Sequence, residues 1–406
     1  MKFYDNGDGL TEPRGFFCSG VHCDVKGKRD GKLDLGIIYS KKPCSVAGVF
    51  TTNDVRAAPV RYCESLIKDE SLACHAIVAN SGNANACTGR QGELDTKKMA
   101  SEVARHFHIH SKEVLVCSTG RIGEPLPMSR ITAGIRDAAD DIIKEFDGAK
   151  AFQEAILTSD TCTKSCSAII PASIGEITIG GVVKGAGMIE PNMATMLAFL
   201  TTDVSASNSE LQSILSNAVN KSFNRITIDG DMSTNDTVLL MANGNSGIEL
   251  SKESKKFQIN FAEAVNKVCA ELARKCVSDG EKVTKFVKMK VTGAKTENDA
   301  EKVARCVANS LLVKSSWYGS DPNWGRIIDA AGYAKVGMDF DKVDLHYNHI
   351  PALEKGEPIV GNKSQWKEEV SAKQFTITLN LNQGDAEGEI WSNDVSEEYV
   401  NFNKSE

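Results

Sequence analysis

The sequence predicts a mixed α/β or α+β protein, in which helices cover the faces of more than one sheet. Apolar residues recur at helical spacing in some segments, and other segments have the apolar pattern of strands. The two kinds of segment interleave without a strict strand–helix–strand repeat, so we expect mixed sheets. The predicted helices are 93–107, 129–146, 207–223, 261–277 and 298–313. The predicted strands are 35–40, 76–80, 113–118, 176–185, 237–243, 286–294 and 374–382.

Composition restricts the class of protein. The 406 residues are 41% hydrophobic and 25% charged, which is typical of a globular chain with one large core or two smaller ones. A net charge of −7 gives no electrostatic reason to expect nucleic acid or an anionic membrane as partner. The N-terminus lacks a secretory pattern and no apolar run reaches membrane-spanning length. We therefore expect a cytoplasmic protein that acts on a small polar substrate.

Metal and nucleotide sites are not indicated. The 12 cysteines are scattered and form no CxxC pair, so we expect reduced, mostly buried thiols. His106, His108 and His110 alternate, but no carboxylate follows at useful spacing, which favours a solvated helix end over a metal site. Neither a GxGxxG sequence nor a P-loop is present, so no nucleotide cofactor is expected.

Two polar segments between predicted strands and helices are candidate site loops. The first, NSGNANACTG (80–89), also fits a plain cluster of turns. The second, STGRIGEP (118–125), follows a predicted strand directly. Its Thr119–Gly120 step can point backbone N–H groups into a cavity, as an oxyanion hole requires.

The segment KGAGMIEPNMATMLAFLTTD (184–203) is the most informative. It places Thr195 at the edge of an apolar run, where its hydroxyl can attack the carbonyl of Ala194 in an N-to-O acyl shift. Hydrolysis would release Thr195 as a new N-terminus, whose α-amino group, with a pKa of roughly 7.7–8.0, can activate its own hydroxyl. An Ala-Thr step at the start of an ordinary buried strand is the alternative interpretation.

Three further polar segments complete a recognisable pattern: TIDGDMSTNDT (227–237), SDGEKVTKF (278–286) and SSWYGSDPNWGRII (315–328). Together with the segments above, they resemble the glutamate N-acetyltransferase or ornithine acetyltransferase family of arginine biosynthesis. The resemblance extends from AGVFTTN (47–53) to the C-terminal WSNDVSEEYVNFN, nearly the full length.

The resemblance implies a self-cleaving enzyme of the N-terminal-nucleophile type, with mixed sheets layered between helices and a smaller C-terminal lobe. Cleavage between Ala194 and Thr195 would give an alpha chain, 1–194, and a beta chain, 195–406, associated as a heterotetramer of two copies of each. Thr195 would accept acetyl from N-acetylornithine and pass it to glutamate in a ping-pong cycle. No cofactor is implied, and the use of acetyl-CoA as a second acetyl donor stays open.

The family's site residues carry over to positions of this chain. Thr119 and Gly120 match the oxyanion pair, and the implied substrate contacts are Thr161, Lys184, Thr195, Glu281 and Asn403. Lys184 offers a positive partner for substrate carboxylates, and Glu281 a negative partner for the ornithine amines. Asp229, Asp231 and Asp236 could form a cation cluster, but we expect them to cap helices and pin turns, and we expect no metal.

Departures from the family pattern leave alternatives open. Lys282 and Val283 follow Glu281 where the family usually has small residues, and Thr163 replaces a common proline, which we expect to be a mild change. Water as acceptor would make the protein an N-terminal-threonine amidohydrolase or aminopeptidase. The family usually has a few more residues after the asparagine, including a terminal Ser or Thr that contacts substrate, whereas here Asn403 is followed only by Lys404, Ser405 and Glu406. Loss of turnover through the changes near Glu281 and at the C-terminus would make the protein a non-catalytic family member.

Overall fold

The computed structural model describes residues 1–144, 148–190 and 196–404. Ala194 and Thr195, the predicted cleavage point, lie outside the described residues. The chain divides into two compact units. The first comprises 1–186, 192–224 and 232–276, and the second comprises 187–191, 225–231 and 277–406. The second unit is smaller and mostly C-terminal, which confirms the predicted smaller C-terminal lobe.

The first unit contains a mixed sheet and the helices that cover it. Its strands are β1 (Lys2–Tyr4), β2 (Phe16–Val21), β3 (Leu35–Phe50), β4 (Cys74–Asn80), β5 (Val114–Ser118), β6 (Lys164–Pro171), β7 (Glu176–Lys184), β8 (Leu197–Thr202) and β9 (Thr237–Ala242). Its helices are α1 (Ala58–Ile67), α2 (Gly89–Phe107), α3 (Met128–Ile143), α4 (Ala149–Ala155), α5 (Asn208–Asn220) and α6 (Lys255–Ser278), of which the last residues of α6 belong to the second unit.

The strand order is β1-β6-β7-β8-β9-β3-β4-β5, with β2 also paired to β3. The pairs β8–β9 and β4–β5 are parallel, and the other pairs are antiparallel. Because β3 is long and its register shifts between Tyr39 and Cys44, its first part pairs with β2 and β4 and its last part with β9. One long strand therefore joins two halves of the sheet.

The two halves of the sheet enclose one apolar core. Phe199 of β8 and Leu115 of β5 belong to the same buried cluster, and the ring of Phe152 from α4 contacts Phe199 edge to face at 5.5 Å. Helices α2 and α3 cover the opposite face of β3, β4 and β5. Helix α6 packs on the outer side of β7, where a Cβ on Gly181 would lie 2.9 Å from Val268 and Leu272. This alternation of helices and sheet halves confirms the layered mixed α/β fold.

The second unit has its own mixed sheet and core. Its strands are β10 (Phe286–Ala294), β11 (Asp344–Tyr347), β12 (Ile350–Glu354), β13 (Glu357–Pro358), β14 (Gln374–Asn380) and β15 (Ala386–Asn393), in the order β13-β12-β11-β14-β10-β15. Its helices are α7 (Glu297–Asn309), α8 (Leu311–Tyr318), α9 (Trp324–Gly332), α10 (Lys363–Ser371) and α11 (Glu397–Phe402). Trp317 and Phe375 meet in its core at 6.3 Å.

Most predicted elements are present, with one clear error. The predicted helix 298–313 is two helices, because Ser310 leaves the helical conformation and its hydroxyl caps the N-terminus of α8 by accepting the N–H of Val313. The predicted strands all exist, and β3 continues ten residues beyond its predicted end at Ser40. Among the described residues, no helix is long and apolar enough to cross a membrane.

Candidate active site

The strand register defines the neighbours of β8, the strand that begins at Leu197. Leu197, the first residue of β8, pairs with Lys184 at the end of β7 and with Thr237 at the start of β9. All six residues of β8 are buried from solvent, so both faces of this strand are covered. Thr195 itself is outside the described residues, but it comes only two positions before Leu197. The end of β7 and the start of β9 therefore flank the start of β8.

Lys184 is the centre of a buried polar cluster in the first unit. Only 2% of this residue is exposed. Its Nζ donates to the hydroxyl of Thr158 at 2.7 Å and to that of Thr119 at 3.4 Å, and lies 3.7 Å from a carboxylate oxygen of Asp160. The structure thus brings together two residues that the sequence predicted for the site, Thr119 and Lys184.

Asp160 balances the charge of this cluster. Its carboxylate accepts hydrogen bonds from Lys164 Nζ at 2.6 Å and from the backbone N–H of Gly185 at 2.7 Å. Burial by itself would raise the pKa of Asp160, but the charges of Lys184 and Lys164 and these hydrogen bonds hold the pKa well below its usual range. Asp160 is therefore ionised at neutral pH, which keeps both buried lysines paired.

The loops 80–89 and 118–125 interlock around Thr119 and Gly120. The N–H of Thr119 donates to the carbonyl of Asn80 at 3.0 Å, and the N–H of Ala84 donates to the carbonyl of Arg121 at 2.8 Å. Gly120 has a φ of +131°, and a Cβ there would lie 2.3 Å from the carbonyl carbon of Gly82. Only glycine fits this contact.

This pairing corrects one expectation about the oxyanion hole. The backbone N–H of Thr119 is already used by Asn80, because the two loops pair there, so it is not an oxyanion donor in this geometry. The hydroxyl of Thr119 and the N–H of Gly120 are the groups of this step that can fill that role.

Sequence reasoning missed several polar residues that support the cluster. The side-chain amide of Asn235 donates to the carbonyls of Ala84 and Ser118, at 2.6 and 2.8 Å, and so connects the start of β9 with both loops. Thr158 and Asp160 were also missed. Asp160 stands next to the predicted contact Thr161, which is exposed, and its place four residues before Lys164 was the available signal.

A cavity of about 360 Å³ adjoins the cluster within the first unit. Thr158 and Asp160 line it, together with Ser81 and Gly82 from the first loop. Its charged lining residues carry both signs: Asp24, Lys26, Lys28, Asp30, Lys32, Asp34 and Glu154. The partners of Lys184 are therefore in contact with a space that can hold a small polar molecule.

The remaining predicted contacts, Glu281 and Asn403, meet in the second unit. The side-chain amide of Asn403 donates to Glu281 at 3.5 Å and to the carbonyl of Tyr399 at 2.9 Å. The carboxylate of Glu281 lies against Gly187, where a Cβ would be 2.5 Å from Oε1. The structure thus places these two residues together, while their contact with substrate stays a prediction.

Comparison with known proteins decides the family. The ArgJ family model matches residues 17–405. The arginine biosynthesis bifunctional protein ArgJ of Thermotoga neapolitana is 42% identical over 395 residues, covering 96% of this chain and 98% of that protein. The same-named protein of Staphylococcus epidermidis is 43% identical over 395 residues, with 97% of each chain covered.

The chain belongs to the ArgJ family. A crystal structure of ArgJ from Bacillus halodurans is 36% identical, with a TM-score of 0.48, and covers 51% of this chain and 97% of that chain. The predicted family resemblance is confirmed.

Lys282, where the resemblance led us to expect a small residue, has a defined place. It adopts a left-handed conformation with a φ of +57°, which suits glycine better than lysine. Its ammonium lies 5.3 Å from the centre of the Phe402 ring, and its carbonyl accepts the hydroxyl of Ser396 at 2.6 Å. Lys282 therefore contacts the C-terminal helix that precedes Asn403.

Two aspartates of the 227–237 segment, Asp229 and Asp236, accept backbone N–H groups, as the sequence favoured for them. Asp229 accepts the N–H groups of Met188, Ile189 and Asp231, and burial raises its pKa to about 6. Asp236 accepts the N–H of Met196 at 3.0 Å. Within the part of the chain that the structure describes, no group of three or more metal-ligand side chains occurs.

Proposed function

We propose that this chain cleaves itself between Ala194 and Thr195 and then transfers acetyl from N-acetylornithine to glutamate through an acetyl-Thr195 intermediate. The relatives named above support the pathway, since their names place them in arginine biosynthesis. The observation that carries the proposal is the buried Lys184–Thr119 contact of 3.4 Å at the end of β7, opposite the first residue of β8.

In the proposed cleavage, the hydroxyl oxygen of Thr195 attacks the carbonyl carbon of Ala194. The peptide C–N bond breaks, an ester forms, and the α-amino group of Thr195 takes up the proton of the hydroxyl. Water then hydrolyses the ester, which leaves a carboxylate on Ala194 and a free hydroxyl on Thr195. The negatively charged oxygen that forms at each step needs a hydrogen-bond donor to stabilise it. The hydroxyl of Thr119 and the N–H of Gly120 are the candidate donors.

Transfer repeats this chemistry with an exogenous acetyl group. The α-amino group of Thr195 accepts the hydroxyl proton while the oxygen attacks the acetyl carbonyl, and ornithine leaves with the proton on its nitrogen. Glutamate nitrogen then attacks the acetyl ester and restores the hydroxyl. In this scheme Lys184 attracts a carboxylate of the substrate. Glu281 and Asn403 together bind an amine of ornithine, and Thr161 is a further substrate contact.

We also propose that acetyl-CoA is a second acetyl donor for glutamate, because the relatives are named bifunctional proteins. We propose further that the cleaved protein is a heterotetramer of two alpha and two beta chains. Transfer from acetyl-CoA to glutamate in the absence of N-acetylornithine tests the first of these, and native mass spectrometry tests the second.

The decisive experiment is intact mass measurement of the purified chain beside Thr195→Ala and Thr195→Ser. We expect two fragments from the wild type, the second beginning at Thr195, and full-length protein from Thr195→Ala. Thr195→Ser keeps a hydroxyl and should still cleave, at a lower rate. A wild-type chain that stays whole contradicts the cleavage mechanism.

Acetyl transfer is then followed by the glutamate-dependent release of ornithine from N-acetylornithine. Formation of N-acetylglutamate in equal amount supports the transferase. Ornithine release that does not require glutamate, with free acetate as product, indicates an amidohydrolase instead. A cleaved chain without turnover indicates a non-catalytic family member.

A further inference from the structure

A tight turn at residues 187–189 is fixed by other parts of the second unit. Met188 adopts a left-handed conformation with a φ of +57°. The N–H groups of Met188 and Ile189 donate to different oxygens of the Asp229 carboxylate, that of Ile189 at 2.8 Å. The carbonyl of Ile189 accepts the N–H of Ile228 at 2.8 Å. Asp229 therefore determines the conformation of the turn through its two carboxylate oxygens.

Gly187, in this turn, lies directly against the carboxylate of Glu281. A Cβ on Gly187 would be 2.5 Å from Oε1, 2.6 Å from Cδ and 2.9 Å from Oε2 of Glu281, so it would overlap the whole carboxylate. The φ of Gly187 lies outside the left-handed region, so alanine can adopt the same backbone conformation. Because the obstacle is the end of a flexible side chain, a methyl group here would displace the Glu281 carboxylate and leave the backbone of the turn in place.

The other surroundings of Glu281 are also fixed within the second unit. The carbonyl of Lys282 accepts the hydroxyl of Ser396 at 2.6 Å, which holds the backbone beside Glu281. The side-chain amide of Asn403 donates to Glu281 Oε2 at 3.5 Å. Glu281 is only partly buried, so a ligand can reach its carboxylate. The position of this negative charge therefore depends on the space that Gly187 leaves.

We propose that Gly187 and Asp229 are positioning residues for the Glu281 carboxylate, and that through it they determine the preference for an acetyl donor whose side chain ends in an ammonium group. This inference rests on the proposed function, in which Glu281 binds an amine of ornithine. A donor acetylated on its α-nitrogen keeps only its side-chain amine as a cation, and a carboxylate held in one place binds that cation most strongly.

The probe is N-acetylnorvaline, which has the carbon chain of N-acetylornithine but a hydrogen in place of the side-chain amine. The ratio of kcat/KM for N-acetylornithine to kcat/KM for N-acetylnorvaline, at saturating glutamate, measures the contribution of the ammonium contact. We expect a wild-type ratio of about ten or more, because a hydrogen bond between charged groups contributes strongly to binding.

Gly187→Ala is the first variant, with Gly7→Ala as a matched control. A Cβ on Gly7 would also be 2.5 Å from a glutamate oxygen, Oε1 of Glu12, but Gly7 is in the first unit. We expect Gly187→Ala to lower the ratio about tenfold, through a higher KM for N-acetylornithine, with kcat/KM for N-acetylnorvaline within about twofold of wild type. Gly7→Ala should keep the wild-type ratio.

Two further variants test the path through Glu281. In the Glu281→Gln background the carboxylate charge is already absent, so Gly187→Ala should lower the ratio no further. Asp229→Asn replaces one acceptor oxygen by an NH₂ group, which cannot accept the N–H of Met188 or Ile189. The turn then loses one of its backbone hydrogen bonds without gaining a side chain, and the ratio should fall in the same direction.

The outcomes separate this inference from the proposed function. A wild-type chain that neither cleaves nor transfers acetyl overturns the proposed function. An active wild type with a ratio near one, or a wild-type ratio in Gly187→Ala, overturns the positioning role alone. An equal loss with both donors in Gly187→Ala also overturns it, because displacement of Glu281 should spare N-acetylnorvaline. If Gly187→Ala stays uncleaved or unfolded, Asp229→Asn decides: a lower ratio supports the role, and an unchanged ratio refutes it.

Discussion

Replacing Asp160 with asparagine tests the buried charge balance of the Lys184 cluster. The substitution removes the buried carboxylate that pairs with Lys164 and Lys184, which are 1% and 2% exposed. Breaking a buried ion pair by removing one partner costs about 3–5 kcal/mol, because the remaining charge stays desolvated. For a domain of this size that corresponds to a fall in melting temperature on the order of 10 °C at pH 7.

The pH dependence of this effect has a definite sign. The pKa of Asp160 is lowered in the folded state, so its contribution to stability is complete above the unfolded pKa, roughly 3.9. It is lost as the pH falls below that value toward the folded pKa. The difference in stability between wild type and Asp160→Asn should therefore stay constant from pH 7 to about 5 and decrease below pH 4.

Thermal melts by circular dichroism across this pH range measure the difference, with Glu93→Gln as the control. Glu93 pairs with Arg61 at 3.1 Å, but both side chains are about half exposed, and such surface pairs contribute about 0–1 kcal/mol. The reasoning is refuted if Asp160→Asn melts within 2 °C of wild type at pH 7, or if its deficit does not shrink at low pH.

Three other substitutions test separate parts of the structure. Gly120→Ala should abolish acetyl transfer, because a Cβ would lie 2.3 Å from Gly82, while the second unit stays folded. Activity assays check the first outcome, and limited proteolysis checks the second. Lys282→Met removes the ammonium over Phe402, and we expect at most about a tenfold rise in KM with kcat little changed, from steady-state kinetics. Lys314 is fully buried, and its pKa is lowered to about 7 in the folded protein, so between pH 7 and 10 the unfolded chain binds more protons at this residue than the folded chain. The stability of the wild type should therefore rise over this pH range. Lys314→Met should remove that rise, as measured by thermal melts at several pH values.

The sequence predicts elements best where a single pattern decides them. β14 alternates buried residues with half-buried or exposed ones, and α2 and α3 keep one apolar stripe, so their positions follow from periodicity. The division between α7 and α8 could not be found in the same way. The apolar spacing continues across Ser310, and no glycine or proline marks the break.

Site residues are a different case. Thr119 and Lys184 were predicted from the family resemblance, and the structure shows them 3.4 Å apart. Asp160 and Asn235 were not predicted, because single Asp and Asn residues in loops usually form turns. Their roles depend on partners far along the chain, such as Ser118 for Asn235, and only the folded structure brings these together.

The position of β8 and β9 explains how a chain could be cut and remain one structure. The proposed cleavage separates residues 1–194 from 195–406, yet β8 and β9 lie between β7 and β3 in the strand order. The beta chain would therefore contribute two central strands to a sheet whose flanking strands belong to the alpha chain. Every residue of β8 and β9 is buried, so separating the chains would break two backbone ladders and expose the core that contains Phe199. Because this interface between the alpha and beta chains is apolar and hydrogen-bonded, salt should not dissociate it. Cleavage should therefore lower the stability of the protein little, while it frees the amino group that the proposed mechanism requires.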